Sequence, residues 1–402
     1  MFNANGSLPF TMLLGLWTAT AWAQTPEAAP ADRAAAPADR APIIAATAPR
    51  DAISLKALEM FNVCQQREDG PPGSLSPYDS DPWFVSYHMM AYLAMFEGTG
   101  ERQYLDRLLE HVEHIMAQRG DRLGLVDEIR GRTMPAWITT GYSEGRPYAW
   151  LVHAGMITYP MARCAYLLER DPQLARQYAP VIQRLLTDVA ETLHAFDEDW
   201  RDGPGQGPNS EGYYYCPYLQ RDLPFNMQNA MGRTMVAMYL ATGDDWYRTR
   251  AHKLAYYFHE RLHRLDGDTR FCWSYWVRNP SPEDVSHAAI NVDFAFVCRR
   301  AGIVFDKGDI GRFVAAFKHV AKPEGFGDFV DGSRTGGSLS VQLGRWGHLA
   351  YHDPSVRAVL SDYLEQTKGA TATLIGCAYL VETQRPFHKE QPVAATTAPA
   401  QP

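Results

Sequence analysis

Two kinds of helical stretch alternate along the chain. Apolar and small residues recur at helical spacing, and each such stretch ends at a short Gly, Asp or Pro turn. A second, more charged amphipathic stretch follows. The turns are GTGE at 98–101, RDPQ at 170–173, TGDD at 242–245, DKGD at 306–309 and HDPS at 352–355. Behind the first of them, Tyr104, Leu105, Leu108, Leu109, Val112 and Ile115 keep a 3.6-residue period. Each turn supplies an N-cap or a breaker for the helix it precedes. The pattern predicts five helical hairpins, at about 82–119, 147–196, 225–264, 284–321 and 338–366. Two further helices, at about 51–66 and 369–384, pair first with last into a sixth. Strand-like alternation is scarce. The expected fold is all-α, an (α/α)6-type toroid of helical hairpins closed into an incomplete or full barrel. An open solenoid of two-helix units is the alternative. Against it, the connections at 120–146, 197–224 and 265–283 are long and rich in Gly, Pro, Tyr, Trp and Arg. Long aromatic loops in a compact domain are usually functional.

The ends of the chain follow another pattern. Residues 8–20 are mostly apolar, and Ala21-Trp22-Ala23 makes a small-x-small site before Gln24, although no Lys or Arg precedes the apolar run. This reads as a signal peptide at 1–23. Residues 24–50 are rich in Ala and Pro, with PADRAAAPADRAP as a near-repeat, and read as a disordered linker. A similar tail is expected at 389–402, leaving a toroid catalytic domain at 51–388. The expected location is periplasmic or secreted, with no membrane span. Hydrophobic residues make up 46% of the 402, ample for a large core. The net charge of −8 argues against a broad nucleic-acid surface. The six cysteines show no metal-ligand spacing. Cys64, Cys164, Cys298 and Cys377 lie in apolar helical patterns and read as buried thiols, whereas Cys216 and Cys272 lie in loops where they could pair.

The chemistry gathers around residues 270–293, RFCWSYWVRNPSPEDVSHAAINVD. Here an aromatic, cationic loop leads into a helix carrying Asp284, His287 and Asn291 on one stripe. The other less-charged helices repeat the device. One carries His88, a second Arg146, Trp150 and His153, and a third Asn226, Asn229 and Arg233. If these helices form the inner ring, all these side chains reach one mouth. Helix N-termini there present free N–H groups that favour an anionic ligand. Taken alone, His88 reads more simply as a hydrogen-bonded core residue, and Arg233 as the partner of a buried carboxylate.

The segments GYSEGRPYAWLVHAGMI (141–157), NMQNAMGRTMVAMYLATGD (226–244) and WSYW with EDVSHAAINVDFAF (273–296) resemble the (α/α) toroid polysaccharide lyases. These act on uronic-acid polymers such as alginate or glucuronan. Glucuronyl C5-epimerases and several glycosidases share the toroid. The resemblance implies β-elimination by a Tyr with supporting His and Asn, which falls here on Tyr275, with Tyr213, Tyr214, Tyr215 and Tyr218 of another mouth loop as alternatives, on His287 or His153, and on Asn226 or Asn229. Such chemistry also needs the uronate carboxylate neutralised, a task that suits Arg233. Arg270 and Arg278, close to Tyr275 in sequence, are expected to lower the phenol pKa. Asn229, Trp150, Trp137, Tyr142, Glu144, Trp273, Tyr214, Arg270 and Asn291 are expected to bind the sugar. No organic cofactor and no metal is expected, and the partner is an acidic polysaccharide or oligosaccharide.

Three other functions stay open. A glycoside hydrolase needs two carboxyl groups across the scissile bond. Asp79, Asp81, Glu144, Glu211, Asp284 and Asp293 are candidates, but no two form a recognisable motif, and Asp284 reads equally well as a helix cap. A uronyl C5-epimerase and a non-catalytic periplasmic sugar-binding protein are the remaining readings.

Overall fold

The polar turns nucleate helices where their spacing predicts. Asp171 accepts from the N–H groups of Gln173 and Leu174, Asp244 from that of Trp246, and Asp306 forms a reciprocal capping box with Asp309. In the computed structural model the described residues are 51–68, 83–278, 281–322, 325–335, 340–366 and 371–393. The expected leader and linker, Asp79, Asp81 and the chain beyond Val393 lie outside them.

The helices are α1 (Ala52–Glu68), α2 (Trp83–Thr99), α3 (Arg102–Ala117), the short α4 (Gly120–Leu123), α5 (Leu151–Arg170), the short α6 (Pro172–Gln177) and α7 (Ala179–His194). Then come α8 (Phe225–Thr242), α9 (Asp245–His259), α10 (Val285–Arg300), α11 (Lys307–Val320), a 3₁₀ helix (Ser340–Tyr351), α12 (Ser355–Gln366) and α13 (Thr371–Glu382). Burial sorts them into two rings. Helix α5 is buried from Leu151 through Leu168, whereas α7 buries one face, led by Ile182, Leu185, Val189 and Leu193. The inner ring runs α2, α5, α8, α10, the 3₁₀ helix and α13, and closes from α13 back onto α2. Each inner element has an outer partner: α3, α7, α9, α11, α12 and α1. This is an (α/α)6 toroid, closed by pairing the first helix with the last, and not an open solenoid. Helices α5 and α8 pack so closely that a Cβ on Gly155 would lie 2.4 Å from the Met231 nitrogen. Among the described residues no helix is long and apolar enough to cross a membrane.

The long connections depart from the all-helical expectation. They fold into small antiparallel ribbons: Ile138–Thr139 with Tyr148–Ala149, Gly212–Cys216 between Trp200–Asp202 and Arg221–Asp222, and His263–Leu265 with Arg270–Cys272. These ribbons draw large aromatic side chains inward. Trp137, Trp150, Trp273 and Tyr214 are buried, which corrects their expected role in stacking on sugar. Trp137 donates to the Ile115 carbonyl, Trp150 donates to the Gly141 carbonyl, and Trp273 packs between Phe258, Phe313 and Trp346. Tyr214 packs edge-on against Trp200. Cys216 and Cys272 are free thiols and do not pair.

Where the inner helices end, the axis of the toroid is filled by charge. Arg163 meets Glu97 and Glu390, each at 2.7 Å, and Arg300 meets the same two carboxylates at 2.8 Å. His348 lies between Asp293 at 2.6 Å and Glu382 at 3.1 Å, and Asp293 also holds Arg233 at 2.6 Å. Burial alone would raise the Glu97 carboxyl, but Arg163 and Arg300 outweigh it and hold the group well below the usual range. Burial would likewise lower His348, but Glu382 and Asp293 push it up to about 9. Glu390 arrives on the C-terminal segment, whose Val393 N–H bonds to the Leu240 carbonyl. The packed body therefore runs past the expected boundary at 388 to Val393. A small cavity of about 20 Å³ remains among these groups, room for about one water molecule.

Candidate active site at the N-terminal rim of the inner helices

Where the inner helices begin, polar groups from separate hairpins meet. The segment entering α10 is held like a strand. The Glu283 N–H bonds to the Trp273 carbonyl, the Val330 N–H to the Glu283 carbonyl, and Asp284 bridges Phe329. That placement buries the Glu283 side chain completely. Asp284 then caps α10, its Oδ1 accepting from the N–H groups of Ser286 and His287 at 3.0 Å. Its Oδ2 lies 2.5 Å from His287 Nδ1. One turn on, Asn291 donates to Glu283 Oε2 at 3.3 Å and accepts from Asn229 of α8 at 2.8 Å. Asn226 lies one turn nearer the rim on the same stripe of α8, fully buried, with neither amide atom partnered. Glu283 Oε1 and Asn229 Oδ1 are also without hydrogen-bond partners, although His287 Nδ1 lies 3.9 Å from the former. Buried polar atoms of this kind call for a water or a ligand.

Aromatic rings frame the group. Trp83, at the start of α2, lies 5.8 Å from the His153 ring and 6.4 Å from the His287 ring. Tyr275 lies 5.2 Å from His287, and Tyr142 lies 6.4 Å from His153. Tyr142 is 69% exposed on a turn where Tyr142, Glu144 and Gly145 all have positive φ. The structure thus brings together Tyr275, His287, His153, Asn229, Asn291 and Tyr142, with Asn226 above Asn229. Glu144 stands exposed on the same turn as Tyr142.

Others among the expected residues go elsewhere. Arg233 sits deeper in the barrel, bonded to Asp293 and to the Met90 and Met156 sulfurs, and is spent on the axial charges. Arg270 pairs with Asp266 at 2.6 Å, Arg146 with Glu128 at 3.5 Å, and the His88 ring stacks on that of His111. The groups whose charges bear on the Tyr275 phenol are Glu283, Asp284 and Tyr142. Instead of falling, the Tyr275 pKa rises above its ordinary value, through burial and then through the charges of Glu283 and Asp284. The phenol stays protonated and is a poor base.

The two adjacent carboxyl groups are driven apart. Burial, and then repulsion from Asp284, raise Glu283 well above the usual carboxylate range, against the weaker effect of the Asn291 hydrogen bond. Burial would raise Asp284 as well, but its bonds to His287 and to backbone N–H groups bring it below its ordinary value. The two neighbours are thus pushed in opposite directions, Glu283 toward the protonated acid and Asp284 toward the anion. Burial lowers His153 to about 3, so its imidazole is neutral. Glu283, Asp284 and His287 each offer one ligand atom within 4.8 Å of the others, the one such cation-sized cluster among the described residues.

Sequence reasoning missed Glu283, Trp83 and the role of the pair. By position Glu283 is simply an acidic residue ahead of a helix. The available signal was the adjacency of Glu283 and Asp284 ahead of an apolar helix, and nothing local says that one of them is sealed from water.

No family model matches the chain, and no curated protein matches it. Solved structures do. The Lin0763 protein from Listeria innocua aligns over 84% of this chain and 99% of its own, at 11% identity and a TM-score of 0.53. The GH76A α-1,6-mannanase from Salegentibacter sp. HEL1_6 aligns over 83% and 98%, at 12% identity and TM-score 0.49. A glycosyl hydrolase family 88 protein from Bacteroides vulgatus aligns over 82% and 98%, at 14% identity and TM-score 0.48. At such identities the likeness is one of fold. The similar structures whose names state an activity are glycoside hydrolases, and it is the residues of this chain that correct the expectation of a polysaccharide lyase. Tyr275 is held protonated and Arg233 is committed to Asp293.

Proposed function

We propose that this chain is a glycoside hydrolase acting on a polysaccharide or oligosaccharide, with Glu283 as proton donor and Asp284 as its ionised partner. The observation that carries this reading is the setting of two adjacent carboxyl groups: Glu283 is fully buried, which raises it, and Asp284 is bonded to His287 and two backbone N–H groups, which lower it. Paired groups pushed apart by their surroundings are the mark of an acid–base couple. Glu283 gives its proton to the leaving glycosidic oxygen, and Asp284 stabilises or captures the sugar cation at C1. Their ligand atoms lie within 4.8 Å. That spacing is nearer the separation of about 5–5.5 Å found in retaining enzymes than the roughly 6.5–9.5 Å of inverting ones. Asp284 then forms the glycosyl ester, and the Glu283 carboxylate takes a proton from the water that hydrolyses it. The unpartnered amides of Asn226 and Asn229 supply hydrogen bonds to sugar hydroxyls. Tyr142 and Trp83 offer apolar faces to the rings. His287 positions Asp284.

The test is release of reducing ends from a panel of bacterial and plant polysaccharides, with proton NMR following the anomeric configuration of the first product. Retention is expected. Products carrying a 4,5-double bond, or binding without any turnover across the panel, would overturn the reading. We propose further that residues 1–23 direct export and that 24–50 tether the toroid, so that the enzyme meets its polymer outside the cytoplasm.

A further inference from the structure

As the rim stands, no sugar reaches the groups that the proposed chemistry uses. Glu283, Asn226 and His153 have 0% of their surface exposed, and Asn229 has 1%. A general acid works only within hydrogen-bond distance of the oxygen it protonates, roughly 3 Å. Part of the rim therefore moves before a ligand binds.

The connection between the paired strands Ile138–Thr139 and Tyr148–Ala149 has the build of a moving part. Its feet are fixed. The Gly141 carbonyl accepts from Trp150 Nε1 at 3.0 Å, and the buried Ser143 hydroxyl donates to the Arg146 carbonyl at 2.6 Å. Its tip is not packed. Tyr142 is 69% exposed, Glu144 is exposed, and a Cβ on Gly145 would meet nothing within 4 Å. The Arg146–Glu128 pair beside it is half exposed on both sides and holds little. Tyr142 at φ 62° and Glu144 at φ 52° are both left-handed, a conformation that strains a residue with a Cβ. Rotation of the two residues to negative φ relieves that strain, which brings an open tip closer in energy to the closed one.

The tip also stands where a gate is needed. The Tyr142 ring lies 6.4 Å from the buried His153 ring of α5. Its phenol is among the groups whose charge bears on that of Tyr275, beside His287 of α10. Tyr142 therefore reaches from one wall of the rim toward the other. The other rings of the rim are better anchored. Trp83 is carried by helix α2, and the Tyr275 carbonyl accepts from the Phe225 N–H at 3.2 Å.

We propose that the turn at 141–146 is a gate with Tyr142 as its leaf, which swings out to admit a sugar ring to His153, Asn226 and Glu283 and then closes over it. Closure shields Glu283 from water and lays the Tyr142 ring against the sugar, and reopening precedes release of the product. The gate does not depend on the hydrolase reading, because any ligand of these buried groups has to pass it.

Acylation of histidines by diethyl pyrocarbonate reads the gate in the full chain without a substrate. The reagent attacks neutral imidazole, and burial lowers both His153 and His111 to about 3, so both are neutral at pH 6. His111, 1% exposed and stacked on His88, reports any general loosening of the fold. Initial rates at each histidine are followed by peptide mass spectrometry. If His153 reacts only from the open state, its rate follows the open population. Tyr142→Ala should raise the His153 rate roughly tenfold or more and leave that of His111 unchanged. Glu144→Gly relieves the closed tip of strain through an exposed residue, and should lower the His153 rate severalfold. The gate is overturned if Tyr142→Ala leaves His153 within about twofold of the wild type, if His153 and His111 quicken together, or if Glu144→Gly quickens His153. A gate that responds as expected in a protein that cleaves no glycan would sink the hydrolase reading and leave the gate standing.

Discussion

At the end of the toroid where the inner helices finish, the side chains of Arg163, Arg233, Arg300 and His348 lie buried with those of Glu97, Asp293, Glu382 and Glu390, and each cation touches an anion. At the end where they begin, Asn226, Asn229 and Glu283 are as deeply buried, yet keep polar atoms without hydrogen-bond partners. The two ends are built from similar residue types on the same helices. One is a closed account of charge that stiffens the barrel axis. The other is left incomplete in the way that a site awaiting a ligand is. Buried polar groups on their own therefore do not mark a site in this fold, since Arg233 Nε and Arg300 Nε on the axis are unpartnered too; what separates the rim is that, among the described residues, its buried amides and Glu283 lack the arginine ion pairs found on the axis.

Substitution should separate the two ends. The largest effect is expected at the rim. Glu283→Gln should lower kcat/KM by about 10³-fold on the preferred glycan, within the range a positioned general acid supplies. Circular dichroism and oligosaccharide affinity should barely change. Asp284→Asn should cost as much in rate, and about 1 kcal/mol in stability through its cap. A Glu283→Gln enzyme that keeps most of its rate would remove the carboxyl pair from the chemistry.

Next in size is the opposite end. Arg163→Met leaves Glu97 and Glu390 facing Arg300 alone, and urea unfolding should show a loss of about 3–5 kcal/mol. The rate per folded molecule should be preserved. Ending the chain at Lys389 removes Glu390 and should destabilise comparably, with the same insensitivity of rate.

A pH dependence of stability should belong to the axial charges too. His348 is raised from an ordinary value of 6.5 to about 9 in the folded state. The stability this supplies is complete below about pH 6.5 and is lost as pH rises through 9. The urea midpoint of the wild type should therefore fall between pH 7 and 9.5, and the fall should be blunted in His348→Gln. Activity should follow the rim instead, declining as pH climbs through the raised pKa of Glu283. If both quantities track one group, the separation of the two ends is broken.

The smallest effect is expected at Tyr275. Its phenol is held protonated beside His287, so Tyr275→Phe should lower the rate by less than roughly tenfold, a packing or hydrogen-bonding loss and not that of a base.

The hydrophobic spacing and the capping turns were enough to determine the hairpins, their order and the closure of first helix on last, because helix period and N-cap chemistry act over three or four residues. The same stripes placed His153, Asn229, His287 and Asn291 at one rim, since helical phase is a local quantity. What each polar residue meets across the barrel is not local. Arg233 shares a stripe with Asn226 and Asn229, but it lies one turn deeper, where Asp293 of α10 captures it. Trp137, Trp150 and Trp273 lie in or beside loops by sequence, and the ribbons fold them into the core. Glu283 became an acid only when the strand-like contacts to Trp273 and Val330 sealed it beside Asp284. Burial and counter-charge come from elements tens to hundreds of residues away, and they set ionisation. The sequence by itself decided which groups reach the rim, and tertiary packing decided which of them are left charged, neutral or unsatisfied.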